Sequence, residues 1–456
     1  MPKIGLEIHG YIQAEEKLFC TCKTVHGLKF AKPNSNICPV CTGQPGAKPL
    51  LPNRVAVDKA IEIALILGCK INPKLVWQRK HYDWPDMPKG YQNTISGSHA
   101  IPVGENGKFL SIGIRECHLE EDPAAWNPKT GEIDYNRSGL PLIEIVTQPD
   151  FSSSEEVVDW LKQLVMTLAY IKAFDKNAGI KADVNVSLPE LKGERVEIKN
   201  INSLKNIKTA IEKEVQRQKS GEVARSQETR MFDEAKGITI KMRGKEGAED
   251  YRFISDPDLP VILLKRERIE KLSSSLPETP QEKLQRLIKK YNIEKKSAEV
   301  LTKKLEIAEF FENIVPHVSP KLAVQWVTIE LLSVLNYNKK ELDEPGININ
   351  PKHFIELLKL VENKKITELK AKEILRKFIP KSFSPLKGAE KHFKISEESE
   401  LEEICKKIIR ENPKAVADYK NGKKESLNFL IGKVMQSTKK RADFSVAKSM
   451  LEKLMK

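Results

Sequence analysis

A change of hydrophobic period near Asp256–Pro260 constrains this chain more than any other feature. Before it, short runs alternate in the period of two that marks a half-buried strand. Ile4, Leu6 and Ile8 point one way, while Gly5, Glu7 and His9 point the other. In Ala182–Leu188, Val184, Val186 and Leu188 share one face and Asp183, Asn185 and Ser187 the opposite one. Arg195–Asn200 repeats the pattern, with Val196 and Ile198 inward and Glu197 and Lys199 outward. Three strands that each carry a carboxylate on the polar face can build a sheet with an acidic floor. Helical patterns interrupt at Asn53–Gly68 and Ser154–Ala173, the second opened by a serine cap and acidic first-turn residues. After Pro260 the strand signal nearly vanishes. Pro280–Tyr291, Ser297–Ile314, Lys321–Asn336, Pro351–Glu362 and Ile366–Phe378 read as amphipathic helices. Lys381–Ser399, broken by Pro385 and Gly388, reads as a linker, and Leu401–Lys456 carries three further helical patterns. The expected fold class is therefore α+β, a mixed sheet in front and helices behind.

Cys20 and Cys22 are followed after 15 residues by Cys38 and Cys41. Two closely spaced pairs can each grip one side of a tetrahedral ion, and four thiolates leave no open position, so the spacing predicts a structural Zn²⁺ site. Free thiols or two disulfides are the competing readings. Cys69, Cys117 and Cys405 stand alone and read as small buried apolar residues. An odd cysteine total of 7 suits a reduced, cytoplasmic protein better than a disulfide framework. No basic segment followed by an apolar one opens the sequence, so no secretory signal is expected. No apolar run is long enough for a membrane span; Ala60–Cys69 is too short and contains Glu62.

Of the net charge of +14, residues 261–456 carry 41 Lys and Arg against 28 Asp and Glu, a net of +13. A near-neutral front and a basic rear suggest chemistry in front and a polyanion gripped behind. Solvated lysine-rich helix faces would give the same count.

Arg115–Asp122 (RECHLEED) holds four carboxylates and a histidine and is expected to close a strand at a loop. With Glu7, His9, Asp183 and Glu197 it offers hard oxygen and imidazole ligands suited to Mg²⁺. Taken singly, each of these is more often a surface charge. Lys89, on the glycine-containing turn after Asp86–Pro88, can present an ammonium to phosphate. No phosphate-binding G-x-x-x-x-G-K-[ST] loop, no G-x-S-x-G elbow and no amidase serine cluster occurs.

Taken together, these segments resemble the B subunit of the glutamine-dependent aspartyl/glutamyl-tRNA amidotransferase, of the GatB/GatE family. The likeness is carried by Ile4–His9 (IGLEIH), Cys38–Gly46 (CPVCTGQPG), Asp86–Gln92 (DMPKGYQ), His118–Asp122 (HLEED) and Tyr135–Val146 (YNRSGLPLIEIV). It continues through Ala182–Ser187 (ADVNVS), Val196–Ser203 (VEIKNINS), Gln227–Arg230 (QETR) and Asp250–Phe253 (DYRF), then Glu411–Lys414 (ENPK) and Phe429–Met435 (FLIGKVM). These runs span nearly the whole chain in the family's order.

The resemblance implies a kinase-like cradle domain with a zinc loop over 1–280, a helical domain over 281–395 and a YqeY-like tail over 396–456. It implies a ligase subunit in a heterotrimer with an amidase A subunit and a small C subunit. ATP and Mg²⁺ would serve to phosphorylate the side-chain carboxylate of Glu or Asp misattached to tRNA-Gln or tRNA-Asn, before ammonia from glutamine forms the amide. Glu7, His9, Glu120, Glu121 and Glu197 match the family's metal-binding positions and are expected to converge on one Mg²⁺. Lys89, Arg115 and Lys199 are expected at phosphate, with Asp183 and Asn185 behind the ligands. The mobile tail is expected to contact tRNA. His81 departs from the family's usual Asn. The related archaeal E subunit carries a large insertion before its helical domain, for which this chain has no room. A non-enzymatic, zinc-stabilised tRNA-binding protein is the other alternative, but it leaves the acidic strand faces unexplained.

Overall fold

The computed structural model describes residues 1–24, 31–82, 84–175, 179–244, 252–386, 395 and 398–455. They form two compact units, Met1–Thr279 and Pro280–Lys456.

The first unit is built on a twelve-stranded sheet. Its centre runs, in spatial order, through the strands Val196–Ile201, Ile180–Ser187, Lys3–Tyr11, Pro141–Thr147 and Ile112–Glu121. All four pairings among these five are antiparallel. Val196–Ile201 also pairs in parallel with Glu228–Asp233, and the helix Leu204–Lys219 joins the two, as a parallel connection requires a crossover. Ile4, Leu6, Ile8, Ile143, Ile145, Val184, Val186, Val196 and Ile198 are all buried on one face. They share a single core with the helices Arg54–Ile66, Ser154–Tyr170 and Leu204–Lys219. Because strand side chains alternate, that packing turns Glu7, His9, Glu144, Asp183 and Glu197 to the opposite face. Asn53 caps the first helix by accepting from Val55 N and Ala56 N, and Ser153 caps the second by accepting from Glu156 N.

The segment Arg115–Asp122 closes a strand as expected: Ile112–Glu121 runs in register to its end, pairing Glu120 with Leu142 and Glu121 with Pro141. The helix Arg266–Ser275, which no expectation covered, follows the period change.

The second unit is helical. Pro280–Tyr291 and Pro351–Glu362 match their expected spans. Ser297–Ile314 resolves into two helices, Lys295–Leu301 and Leu305–Ile314, with the Thr302 hydroxyl turned back onto Ala298 O at the break. One hydrophobic cluster spans Leu287 to Phe378 and a second spans Ile395 to Met455. The latter holds four helices where three were expected, since Pro413 starts a short helix of its own. The opening of the expected linker is docked, with Ser382 N donating to Asn348 O and Ser382 Oγ accepting from Asn350 N. Gly388 lies outside the described residues, as do Asp250 and Tyr251 of the DYRF run. Among the described residues, no helix is long and apolar enough to cross a membrane.

Candidate active site

The polar face of the five central strands carries two groups of metal-competent side chains. In the first, ligand atoms of His9, Glu120 and Glu144 lie within 4.8 Å of one another; in the second, those of Glu7, Asp183 and Glu197 do. Strand register makes both groups. Glu7 stands opposite Asp183, His9 opposite Glu144, and Glu144 opposite His118. A cleft of about 430 Å³, within the usual size of small-molecule sites, opens over the first group and reaches the second at Asp183. Its lining mixes Glu120, Asp122, Glu144 and Asp183 with Lys80, Arg137, Lys181 and Lys199.

Glu144 sits at the centre of the first group. Its carboxylate meets His118 Nε2 at 2.9 Å and His9 Nε2 at 3.4 Å, and His9 Nε2 is 3.8 Å from Glu120. The other ring nitrogen of His118 faces Glu116 at 3.2 Å. Burial opposes charge on both rings, yet the Glu144 carboxylate and its neighbours raise His9 to about 9 and His118 to about 10. The same imidazoles hold the buried Glu144 carboxyl well below the usual range. Burial, then the Glu144 charge, pushes Glu120 up. In the second group, Lys199 spans Asp183 at 2.9 Å and Glu197 at 2.6 Å, and Asn185 Nδ2 donates to Glu7 at 3.1 Å. Burial lowers the Lys199 ammonium's affinity for its proton, but Asp183 and Glu197 more than offset it, leaving the group raised. Glu7 is raised by burial and by Glu144, Glu197 and Asp183, so the two groups feel each other electrostatically. Carboxylates that resist ionisation because other carboxylates crowd them are relieved by a cation. Carboxylates, an imidazole and the orphaned Asn185 Oδ1 are a donor set that fits Mg²⁺.

Of the residues expected to converge, the structure brings together Glu7 with Glu197, and His9 with Glu120. It does so as two groups rather than one, and it moves Asp183 into a ligand group. Glu121 joins neither group. It accepts from Lys89 Nζ and, at 2.9 Å, from Asn93 N, so Lys89 is committed to a largely buried ion pair rather than presented to the cleft. Arg115 is exposed and does not line the cleft. The His81 ring lies 5.3 Å from that of Tyr91, tilted by 50°, and does not line the cleft either. Sequence reasoning missed Glu144, His118 as its partner, and the cationic rim of Lys80, Arg137 and Lys181. A signal for Glu144 exists, because it is the lone charge in the otherwise apolar run Pro141–Val146.

The cysteine pairs do converge. Cys20, Cys22, Cys38 and Cys41 Sγ atoms all lie within 4.8 Å of one another, and all seven cysteines are free thiols. Cys38 N donates to Cys41 Sγ at 3.2 Å, which favours a thiolate there. A hydrogen bond from Cys20 is the leading cause that brings Cys41 down to about 4. Four converging thiols on a turn fit a tetrahedral ion.

The sequence matches the GatB/GatE catalytic domain over residues 2–270 and the GatB domain over residues 309–455. It is 45% identical to the B subunit of the aspartyl/glutamyl-tRNA(Asn/Gln) amidotransferase of Methanocaldococcus jannaschii, covering 97% of this chain and 95% of that protein. It is 44% identical to the protein of the same name from Methanopyrus kandleri, with 98% and 97% covered. The protein of that name from Methanothermobacter thermautotrophicus is also 44% identical, with 97% of each chain covered.

Proposed function

Because this chain belongs to the GatB/GatE family and aligns end to end with its amidotransferase B subunits, we propose that it is the tRNA-dependent kinase subunit of an aspartyl/glutamyl-tRNA amidotransferase. One observation carries the reading: the metal-competent group of His9, Glu120 and Glu144 lines a cleft together with Lys80, Arg137, Lys181 and Lys199, and the second group reaches that cleft through Asp183. A phosphate-binding protein without chemistry has no use for such a lining, since carboxylates repel phosphate unless a cation intervenes.

In this reading the side-chain carboxylate of Glu or Asp on its tRNA attacks the γ-phosphorus of ATP. ADP leaves, and an acyl phosphate remains. Ammonia then adds at the acyl carbon and inorganic phosphate departs, leaving the amide. Mg²⁺ held by His9, Glu120 and Glu144, or by Glu7, Asp183 and Glu197, would neutralise charge on the phosphates as the phosphoryl group moves. Lys80, Lys181 and Arg137 orient the anionic reactants from the rim. Lys199 bridges the Asp183 and Glu197 carboxylates and holds them in place. His118 holds Glu144 toward His9. Ammonia comes from a glutaminase partner, the A subunit, with a small C subunit completing the complex. The basic second unit, including the YqeY-like tail, grips tRNA phosphates. Cys20, Cys22, Cys38 and Cys41 hold a structural Zn²⁺.

The test uses the reconstituted complex with misacylated tRNA. Glu144→Gln and Glu7→Gln should each lower tRNA-dependent ADP formation by about 100-fold or more while glutamine hydrolysis persists, the size seen when a preorganised charge is removed. ADP formation that survives both substitutions favours a tRNA-binding role without kinase chemistry. Assaying Glu-tRNA-Gln and Asp-tRNA-Asn in parallel assigns the substrate.

A further inference from the structure

We propose that the cysteine loop is the rear support of the acidic cleft, and that Gly43 and Ser138 are the positioning residues through which it acts. The proposal rests on the cation-binding reading of the cleft.

The turn after Cys38 is closed by Thr42 N to Cys38 O, Gly43 N to Val40 O and Gln44 N to Pro39 O. Gly43 has φ +65°, and a Cβ there would sit 2.6 Å from Pro88 O, 2.7 Å from Pro88 C and 3.0 Å from Lys89 N. The two backbones are therefore in direct contact, with no flexible side chain between them to absorb a displacement. Beyond that contact the turn leads into the cleft wall. Lys89 Nζ donates to Asn93 Oδ1 at 2.7 Å and pairs with Glu121, and Gln92 Nε2 donates to Glu121 O at 2.9 Å. Gln92 lines the cleft, and Glu121 adjoins the ligand-group residue Glu120.

The same loop holds a second wall. Ser138 Oγ donates to Cys41 O at 2.7 Å, and Leu18 N donates to Gly139 O at 2.8 Å. Gly139 N in turn donates to Asp122 O, and Arg137 pairs with the Asp122 carboxylate at 3.3 Å. Arg137 and Asp122 both line the cleft. A tetrahedral ion that locks the loop thus fixes two walls at once. Groups that orient ligands from behind change metal affinity without touching the metal.

The experiment measures Mn²⁺ binding to the full-length, zinc-loaded chain by loss of the free-ion EPR signal, with zinc content and melting temperature recorded for each variant. Gly43→Ala combines backbone strain with a push on Pro88. Gly46→Ala supplies the control, since Gly46 has φ +87° and nothing within 4 Å of its Cβ position. Ser138→Ala removes the second support without adding bulk. Gly43→Ala should weaken Mn²⁺ binding by roughly tenfold with zinc retained, Ser138→Ala should weaken it less, and Gly46→Ala should stay within about twofold of wild type. In the assembled complex the Mg²⁺ concentration for half-maximal ADP formation should shift in the same order. If Gly43→Ala does not fold, Ser138→Ala decides. Wild-type affinity in the folded variants, or equal losses in Gly43→Ala and Gly46→Ala, overturns this inference alone. A wild-type chain that binds no Mn²⁺ overturns the cation reading and this inference with it.

Discussion

Replacing Glu144 by Gln removes one negative charge from the centre of the polar sheet face and almost no volume. In the structure that charge is shared by His118 at 2.9 Å and His9 at 3.4 Å. Without it, burial dominates both rings, and their affinity for protons falls. His118 still faces Glu116 at 3.2 Å, so it should fall less than His9. Both imidazoles are raised above the ordinary 6.5, to about 9 and about 10. The stability they contribute is therefore fully present below pH 6.5 and is lost as pH climbs through 9 to 10. Breaking a buried pair by removing one partner costs about 3–5 kcal/mol. The Gln amide keeps a hydrogen bond to one ring and Glu116 remains, so a loss of about 2 kcal/mol near pH 6 is expected, at the scale of a charged hydrogen bond. Above about pH 10, where the wild-type rings are neutral, the difference should largely vanish. Urea unfolding of the Mg²⁺-free, zinc-loaded chain at about pH 6 and about pH 10 measures this, and NMR titration of the histidine ring carbons reads the proton affinities directly. A wild-type His118 that titrates near 6.5, or Glu144→Gln curves superimposable on wild type at the lower pH, would falsify the electrostatic account of the site.

Three further outcomes follow from the geometry. Cys38→Ser should cost the purified chain its zinc equivalent and lower its melting temperature; elemental analysis showing full zinc in the variant would exclude a four-thiolate site. Gly10→Ala places a Cβ 1.8 Å from the Phe174 ring beside His9, so it should destabilise by about 1–3 kcal/mol or more through overpacking, as measured by denaturant midpoint. Deleting 396–456 removes 14 Lys and Arg against 10 Asp and Glu, with the basic excess concentrated in residues 411–456, which carry 11 against 5. The truncated chain should bind tRNA more weakly and with a shallower salt dependence while retaining zinc; an unchanged salt slope would mean that the tail makes no phosphate contacts.

Much of this protein is written in its local sequence. Period-two alternation places Glu7 with His9, and Asp183 with Asn185, on the side of each strand away from Ile4, Leu6 and Val184, because a buried apolar face leaves polar neighbours no alternative. Two close cysteine pairs imply one ion because the thiolates of each pair already share a turn. The period change near residue 256 separates sheet from helices because each pattern can bury its apolar side in only one kind of element. Which carboxylates meet across strands is a different matter, decided by register. Glu144 becomes the centre of the site only because Pro141–Thr147 lies between Lys3–Tyr11 and Ile112–Glu121 with Glu144 opposite both His9 and His118. Glu121 leaves the site because the Ile112–Glu121 strand runs on through it, so that Glu120 and Glu121 point to opposite sides. Lys89 is drawn into a buried pair with Glu121 by a turn that packs against Gly43, far earlier in the chain. Alternation within a strand is a local consequence of backbone geometry, whereas the residue that a side chain faces across the sheet depends on strand order and register, which are set by the packing of the whole unit.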